Sequence, residues 1–76
     1  MQNELFNSVV DYLKRQKEIG RDQVFRAIIV EVMWYNRGLI KDPTNPVELT
    51  RQLLKDASAQ VQGTYIYDQG RARIVF

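Results

Sequence analysis

The sequence predicts a small α+β domain that is mainly helical and ends in a β-hairpin. Three observations support this class. Apolar residues recur at three- and four-residue spacing through most of the chain, as on the buried face of a helix. Single glycines separate these stretches, and residues 64–76 alternate around a glycine-containing turn. We expect three helices before the hairpin in one domain, residues 1–76. Its core should be thin, because a chain of this length buries only roughly 60% of its surface.

The composition excludes several kinds of protein. The 76 residues include no cysteine and no histidine, so disulfides cannot form and the usual ligands of a structural zinc ion are missing. We therefore expect no metal and no cofactor. No apolar run approaches the roughly 20 residues that span a bilayer, and the first residues do not resemble a secretory signal. We expect a cytoplasmic protein without a membrane partner.

Catalysis is not expected, because the usual nucleophile and base pairs need the histidine or cysteine that this chain lacks. The four glycines stand singly and form no phosphate-binding loop. The net charge of +2 and the pI near 9.2 permit a nucleic-acid partner but are too small to indicate one. Whether nucleic acid is a partner therefore depends on how the charges are distributed along the chain.

The first helix is predicted over about residues 3–18. Asn3 can cap its start, and Gly20 can end it. Basic residues crowd its last turn, where positive charge complements the helix dipole. Its apolar stripe consists of Leu5, Phe6, Val9, Val10 and Leu13.

The second segment, residues 23–37, is predicted as a helix that Asp22 caps and Gly38 closes. Five apolar side chains share one helical face: Phe25, Ile28, Ile29, Val32 and Met33. The run 27–32 is also rich in β-branched residues. A strand over residues 24–35, within a three-stranded antiparallel sheet of α-β-α-β-β order, is therefore the alternative.

Apolar residues of the second segment extend beyond one buried face. Val30, Trp34 and Tyr35 are among them. This excess indicates either that the helix is central to the fold or that it also forms a surface for a protein partner or for a second copy of the chain as a homodimer. Residues 71–76 are a second candidate for protein contact, as a strand edge open to pairing.

The third helix is predicted to start at Asn45-Pro46-Val47-Glu48, after room for a short strand at residues 39–41. The start has a capping residue, a proline at the first helical position and a glutamate placed to bond back. Its buried stripe consists of Leu49, Leu53, Leu54, Ala57 and Val61. Gly63 is predicted to end this helix.

The hairpin turn, Asp68-Gln69-Gly70, fits a three-residue loop with glycine at the left-handed position. In this register the side chains toward the core are Ile66, Ala72, Ile74 and Phe76. Those toward solvent are Tyr65, Tyr67, Arg71, Arg73 and Val75. A two-residue Gln69-Gly70 loop is the alternative, and it would shift the pairing by one residue and mix the two faces.

Two predicted surfaces suit nucleic acid. The exposed hairpin face combines arginines, which contact phosphates, with tyrosines, which stack on bases. Tyrosine–arginine pairs that only shield each other are the alternative. The third helix adds polar residues at helical spacing, Arg51, Lys55, Ser58 and Gln62, with Gln52 and Gln60 nearby. Arginine and glutamine read base edges in the major groove, although a solvated helix face has the same composition.

Three helices followed by a hairpin resemble the winged helix-turn-helix domains, in the order of elements alone and without a family motif. In that family the last helix before the hairpin usually enters the major groove, and the hairpin, or wing, touches the backbone or minor groove. The resemblance implies a groove-facing set of Arg51, Gln52, Lys55 and Ser58, with Arg71 and Arg73 at the wing. The segment around Pro43 is longer than the tight turn of that family.

Two functions follow as hypotheses. The first is a small DNA-binding regulatory protein, in which Lys41 and the cations of the third helix and hairpin contact the phosphates of double-stranded DNA. The second is a protein–protein interaction module, an adaptor or an inhibitor, that uses Trp34 and Tyr35 or the C-terminal strand edge.

Overall fold

The computed structural model describes residues 3–44 and 46–76, and it describes no side chain for Asn3, Pro46 or Val47. The described residues form a small α+β fold, as the sequence predicts. In chain order the elements are α1 (Asn3–Glu18), β1 (Gln23–Phe25), α2 (Arg26–Glu31), a π-helical turn (Val32–Asn36), a 3₁₀ turn (Pro46–Leu49), α3 (Arg51–Gln60), β2 (Thr64–Asp68) and β3 (Arg71–Val75).

Helix α1 has the predicted bounds, and its predicted stripe is buried at Leu5, Val9 and Leu13. The predicted side-chain cap at Asn3 lies outside the described residues. Lys17 connects α1 to the end of α3, because its Nζ donates to the carbonyl oxygen of Val61 at 2.9 Å. It thereby satisfies a carbonyl at the end of α3, where a positive charge is favourable.

The second segment begins as a strand, so the prediction of a helix from residue 23 is wrong there. Val24 pairs with Ile74 in the sheet and is buried, which favours a β-branched residue in extended conformation. Asp22 does not cap α2; its carbonyl oxygen instead accepts from the Phe76 amide at 3.0 Å. The alternative is confirmed in its three-stranded antiparallel sheet and in a strand at Val24 and Phe25, but it is wrong beyond Phe25, where the chain turns helical.

Helix α3 starts later than predicted. Pro46 opens the short 3₁₀ turn, and the cap of α3 is Thr50, whose Oγ1 accepts from the Leu53 amide at 3.3 Å. The predicted cap Asn45 lies outside the described residues. Residues 39–41, which are within the described part, form no strand; Ile40 is buried in the core instead.

The three strands form one antiparallel sheet in the order β1-β3-β2. Because β3 is the central strand, with partners on both sides, the prediction that residues 71–76 offer an open edge is wrong. Asp68 pairs with Arg71, so the hairpin turn has two residues, Gln69 and Gly70, with φ of 53° and 76°. The predicted three-residue loop is therefore wrong. A two-residue turn with both φ positive matches the right-handed twist of the strands.

The one-residue difference in register moves the faces of β2. Tyr65 lies opposite Ile74 and Tyr67 opposite Ala72, so both tyrosines point to the side of the core. Ile66 lies opposite Arg73 on the outer face, not toward the core as predicted. The predicted face that unites tyrosines with arginines is wrong, because the two kinds of side chain leave opposite sides of the sheet.

One apolar cluster joins the helices to the inner face of the sheet. Its fully buried side chains include Leu13, Ile29, Met33, Leu49, Leu54 and Ile74. Phe76, predicted to face the core, packs against this cluster. The cluster holds α1, α3 and the hairpin together, and so places the start of α3 beside the turn of the hairpin.

Candidate functional site

A cleft of about 420 Å³ opens between the two helix starts and the hairpin. Residues 25–27 at the β1–α2 junction form one wall, and residues 49–51 at the start of α3 form a second. Tyr65, Tyr67 and residues 70–72 of the hairpin form the third. The cleft thus collects side chains from segments that are distant in the sequence.

The charge of this cleft is positive. Its described lining includes the three arginines Arg26, Arg51 and Arg71, and none of the described lining residues is acidic. Guanidinium groups form paired hydrogen bonds with phosphate and carboxylate oxygens. The arrangement therefore suits an anion.

Two contacts hold these arginines in place. The Nε of Arg26 donates to the carbonyl oxygen of Leu49 at 3.3 Å, which ties the start of α2 to the 3₁₀ turn. The guanidinium carbon of Arg71 lies 4.5 Å from the centroid of the Phe25 ring, within the range of a cation–π contact. Arg51, in the first turn of α3, is exposed. The two held arginines need less ordering when a ligand arrives.

The tyrosines give the cleft an aromatic wall. Tyr65 is half-buried and packs against the core, whereas the side chain of Tyr67 is 65% exposed. Although the tyrosines and Arg71 leave opposite faces of the sheet, all three residues line this cleft. The cleft therefore unites Tyr65, Tyr67, Arg51 and Arg71 of the predicted nucleic-acid site.

Sequence reasoning missed Arg26. In a helix beginning at residue 23 this arginine has no special position. The signal that could have located it is the dipeptide Val24-Phe25, which favours a strand and makes Arg26 the first residue of the helix that follows.

Several predicted residues lie outside the described lining of the cleft. Lys41, Gln52 and Lys55 are exposed elsewhere, and Gln52 donates to the Asp56 carboxylate at 2.9 Å. The placement of Ser58 on the exposed face is wrong. Ser58 is 3% exposed, and its hydroxyl donates to the carbonyl oxygen of Lys55 at 2.8 Å.

Arg73 lies on the outer face of the sheet. Its Nη1 donates to the Gln23 Oε1 at 3.2 Å, and its enclosed Nε has no hydrogen-bond partner among the described residues. It lines a smaller depression of about 150 Å³ together with Phe25 and Arg71. The two predicted wing arginines therefore share this outer depression, while Arg71 alone also lines the main cleft.

The predicted protein interface is partly exposed. The rings of Trp34 and Tyr35 lie 4.3 Å apart at an angle of 53°. Trp34 is 37% exposed and Tyr35 is 70% exposed, whereas Val30 is half-buried against the core. The pair lies on the π-helical turn, a backbone irregularity that is frequent at functional sites.

Two ionisable groups have shifted pKa values, and neither belongs to the described lining of the cleft. Burial raises the pKa of Tyr12, and the nearby charge of Arg21 opposes that shift. The hydroxyl of Thr44, and to a smaller extent its amide, bond the Asp42 carboxylate and lower its pKa.

Within residues 3–44 and 46–76, no group of three His, Cys, Asp or Glu side chains is placed to hold a metal ion. The described helices include none with the length and apolar character needed to cross a membrane.

Comparisons with protein-family models, with curated proteins and with solved structures find no match to this chain.

Proposed function

We propose that this protein is a small DNA-binding regulatory protein that contacts double-stranded DNA through α3 and the hairpin. The observation that supports it most is the cleft, which brings three arginines together between the start of α3 and the hairpin, with no acidic side chain in its described lining. Phosphate contacts supply most of the affinity of such proteins and set their register on the duplex.

The order of the elements supports the same proposal. Three helices precede the hairpin, as in the winged helix-turn-helix domains that the sequence resembles. Strand β1 pairs with Arg73–Val75 of the hairpin and leads directly into α2, so the hairpin is anchored to the helices at its base. An anchored hairpin presents Arg71 at a defined distance from α3, which a wing that contacts the backbone requires.

The exposed side of α3 supplies the remaining contacts. Arg51 and Lys55 are exposed cations on this helix, and Gln52 between them could read a base edge. Gln52 would first exchange its bond to Asp56 for a bond to the base. The exposed Lys41 could add a phosphate contact, whereas the buried Ser58 takes no part.

The proposal is tested by fluorescence anisotropy of a mixed-sequence duplex, titrated with the protein over a range of salt. We expect affinity that falls steeply with salt. Replacing Arg51 and Arg71 together by alanine should reduce the slope of log K against log salt by about 2, because each phosphate contact contributes about 0.9.

The matched control replaces Lys14 and Arg15, two exposed cations of α1 outside the described lining of the cleft. This double variant changes the net charge equally and should leave the slope nearly unchanged. No binding at low salt, or equal losses in the two double variants, would show that the cleft does not bind duplex DNA.

A second candidate is a protein–protein interaction module, which the exposed Trp34–Tyr35 pair favours. Aromatic side chains are enriched where interfaces are tight. A second copy of the chain is the simplest partner, and sedimentation of the wild type beside Tyr35→Ala measures that association directly.

A further inference from the structure

The cleft is larger than a phosphate group requires. Its volume of about 420 Å³ falls within the range of about 300–1,000 Å³ that is usual for small-molecule sites. Its walls are also chemically different. Guanidinium groups come from the starts of α2 and α3, and phenol rings come from β2.

These two kinds of wall suit two parts of one ligand. Among the described residues, Arg26 bonds the Leu49 carbonyl through its Nε, which leaves its Nη groups available to a ligand. Paired donors of this kind fit the oxygens of a phosphate. Tyr67 offers an exposed ring to an aromatic base. With no acidic side chain in the described lining, the charge of a phosphate meets no opposing carboxylate there.

We propose that the cleft binds one phosphorylated nucleoside unit, with its phosphate held by Arg26 and Arg51 and its base against Tyr67. The inference rests on the proposed function, which supplies nucleic acid as a source of this unit. Inside a duplex the bases are stacked and paired, so an unpaired nucleotide is needed to present phosphate and base together. A free mononucleotide has the same chemistry and is the other source.

The test is an NMR titration that follows the backbone amides of the protein with thymidine 5′-monophosphate. Thymidine and inorganic phosphate are titrated separately. We expect shifts at the walls of the cleft, and a dissociation constant for the nucleotide about tenfold or more below those of the two fragments, because each fragment satisfies only one wall. Shifts elsewhere, or equal affinity for inorganic phosphate, would overturn the proposal.

Three variants separate the contributions of phosphate and base. Tyr67→Ala should lower the affinity for the nucleotide by about fivefold or more, because the base loses its stacking partner. The affinity for inorganic phosphate should not change. Arg51→Ala should weaken both ligands. The control Lys14→Ala, which removes an exposed cation of α1 outside the described lining of the cleft, should leave the affinity for both ligands unchanged. A Tyr67→Ala protein that keeps its amide spectrum and binds the nucleotide like the wild type would show that the base does not lie there.

Competition identifies the source of the unit. A single-stranded oligonucleotide that displaces the mononucleotide makes unpaired DNA the source, and one that does not leaves the free nucleotide as the ligand. Displacement by a closed circular duplex, which has no strand ends, would mean that paired backbone reaches the same arginines, as the proposed function requires. The Tyr67→Ala variant then decides whether a base also lies in the cleft. If the duplex binds with steep salt dependence but the mononucleotide does not bind, this inference fails and the proposed function stands. If the mononucleotide binds but the duplex does not, the proposed function fails and the cleft remains a site for a free nucleotide.

Discussion

Gly63 lies where the chain leaves α3 and enters β2. A Cβ at this position would lie 3.1 Å from Cγ2 of Ile74 and 3.2 Å from the carbonyl oxygen of Val75. The residue before it, Gln62, has a φ of 59°. It is Gln62 that takes the left-handed position at the end of α3, while the Gly63 amide bonds the Ser58 carbonyl at 2.8 Å. Gly63 is therefore needed for the close approach of the hairpin, and not, as predicted, to end the helix in the left-handed conformation.

Substitutions at these two neighbours should have opposite effects. Gly63→Ala should lower the free energy of unfolding by about 1–3 kcal/mol, because its methyl group overpacks the hairpin. Gln62→Gly should raise it by about 0.5 kcal/mol, since the relief of the left-handed backbone exceeds the entropy that glycine loses. Urea unfolding of both variants measures the difference. A neutral Gly63→Ala would contradict the close approach.

The hairpin turn is an element whose chemistry is not optimal for its conformation. Gln69 occupies the first position of a two-residue turn with both φ positive, where asparagine is strongly preferred. Gln69→Asn should therefore raise the free energy of unfolding by about 0.5–1 kcal/mol. Thermal unfolding by circular dichroism checks this. Gln52→Asn is the helical contrast, and we expect it to be destabilising because asparagine is a poorer helix former than glutamine. A lower melting temperature in Gln69→Asn would contradict the assigned turn.

The sequence predicts the existence of the elements better than their bounds and register. Periodicity predicts α1 and the hairpin, because both depend on nearby residues. It does not predict β1, since Val24 becomes a strand residue only by pairing with Ile74. The register of the hairpin also escapes prediction. The segment Asp68-Gln69-Gly70 satisfies two turn geometries, and the twist of the whole sheet decides between them.

The same distinction holds for the candidate site. Arg51, Tyr67 and Arg71 are recognisable by residue type, yet their meeting in one cleft depends on the register of the sheet and on the late start of α3. The prediction that Ser58 is exposed is wrong, although its spacing indicates the buried stripe, because it follows Leu54 by four residues and precedes Val61 by three. A serine is usually taken for a surface residue because its hydroxyl is polar. Here the hydroxyl is buried because it bonds the backbone of its own helix.

The molecule as a whole combines a thin core with exposed apolar side chains. The large hydrophobic residues at its surface include Ile19, Ile28, Trp34, Tyr35 and Tyr67. Small domains commonly gain stability by association. The Trp34–Tyr35 pair is the part of this surface in which two exposed rings lie together.

If this pair forms a homodimer interface, Tyr35→Ala should weaken self-association, and loss of an interface tyrosine typically costs about 1 kcal/mol or more. Sedimentation equilibrium over a range of protein concentrations measures it. Tyr67→Ala is the matched control, because it removes another exposed tyrosine from the separate cleft. Equal sedimentation of the wild type and both variants would remove the dimer proposal for this pair.

The central position of β3 also has a consequence for the order of folding. Its pairing with β2 closes a two-residue turn, an event that takes about 1–10 μs in isolated hairpins. Its pairing with β1 places Arg73 opposite Phe25, and the Arg73 Nη1 also donates to the Oε1 of Gln23, 50 residues away along the chain. The ends of such a loop meet at a large entropic cost until the helices between them have packed. We therefore expect β1 to dock late, so that the slowest step assembles both the sheet and the arginine-lined wall of the cleft at residues 25–27.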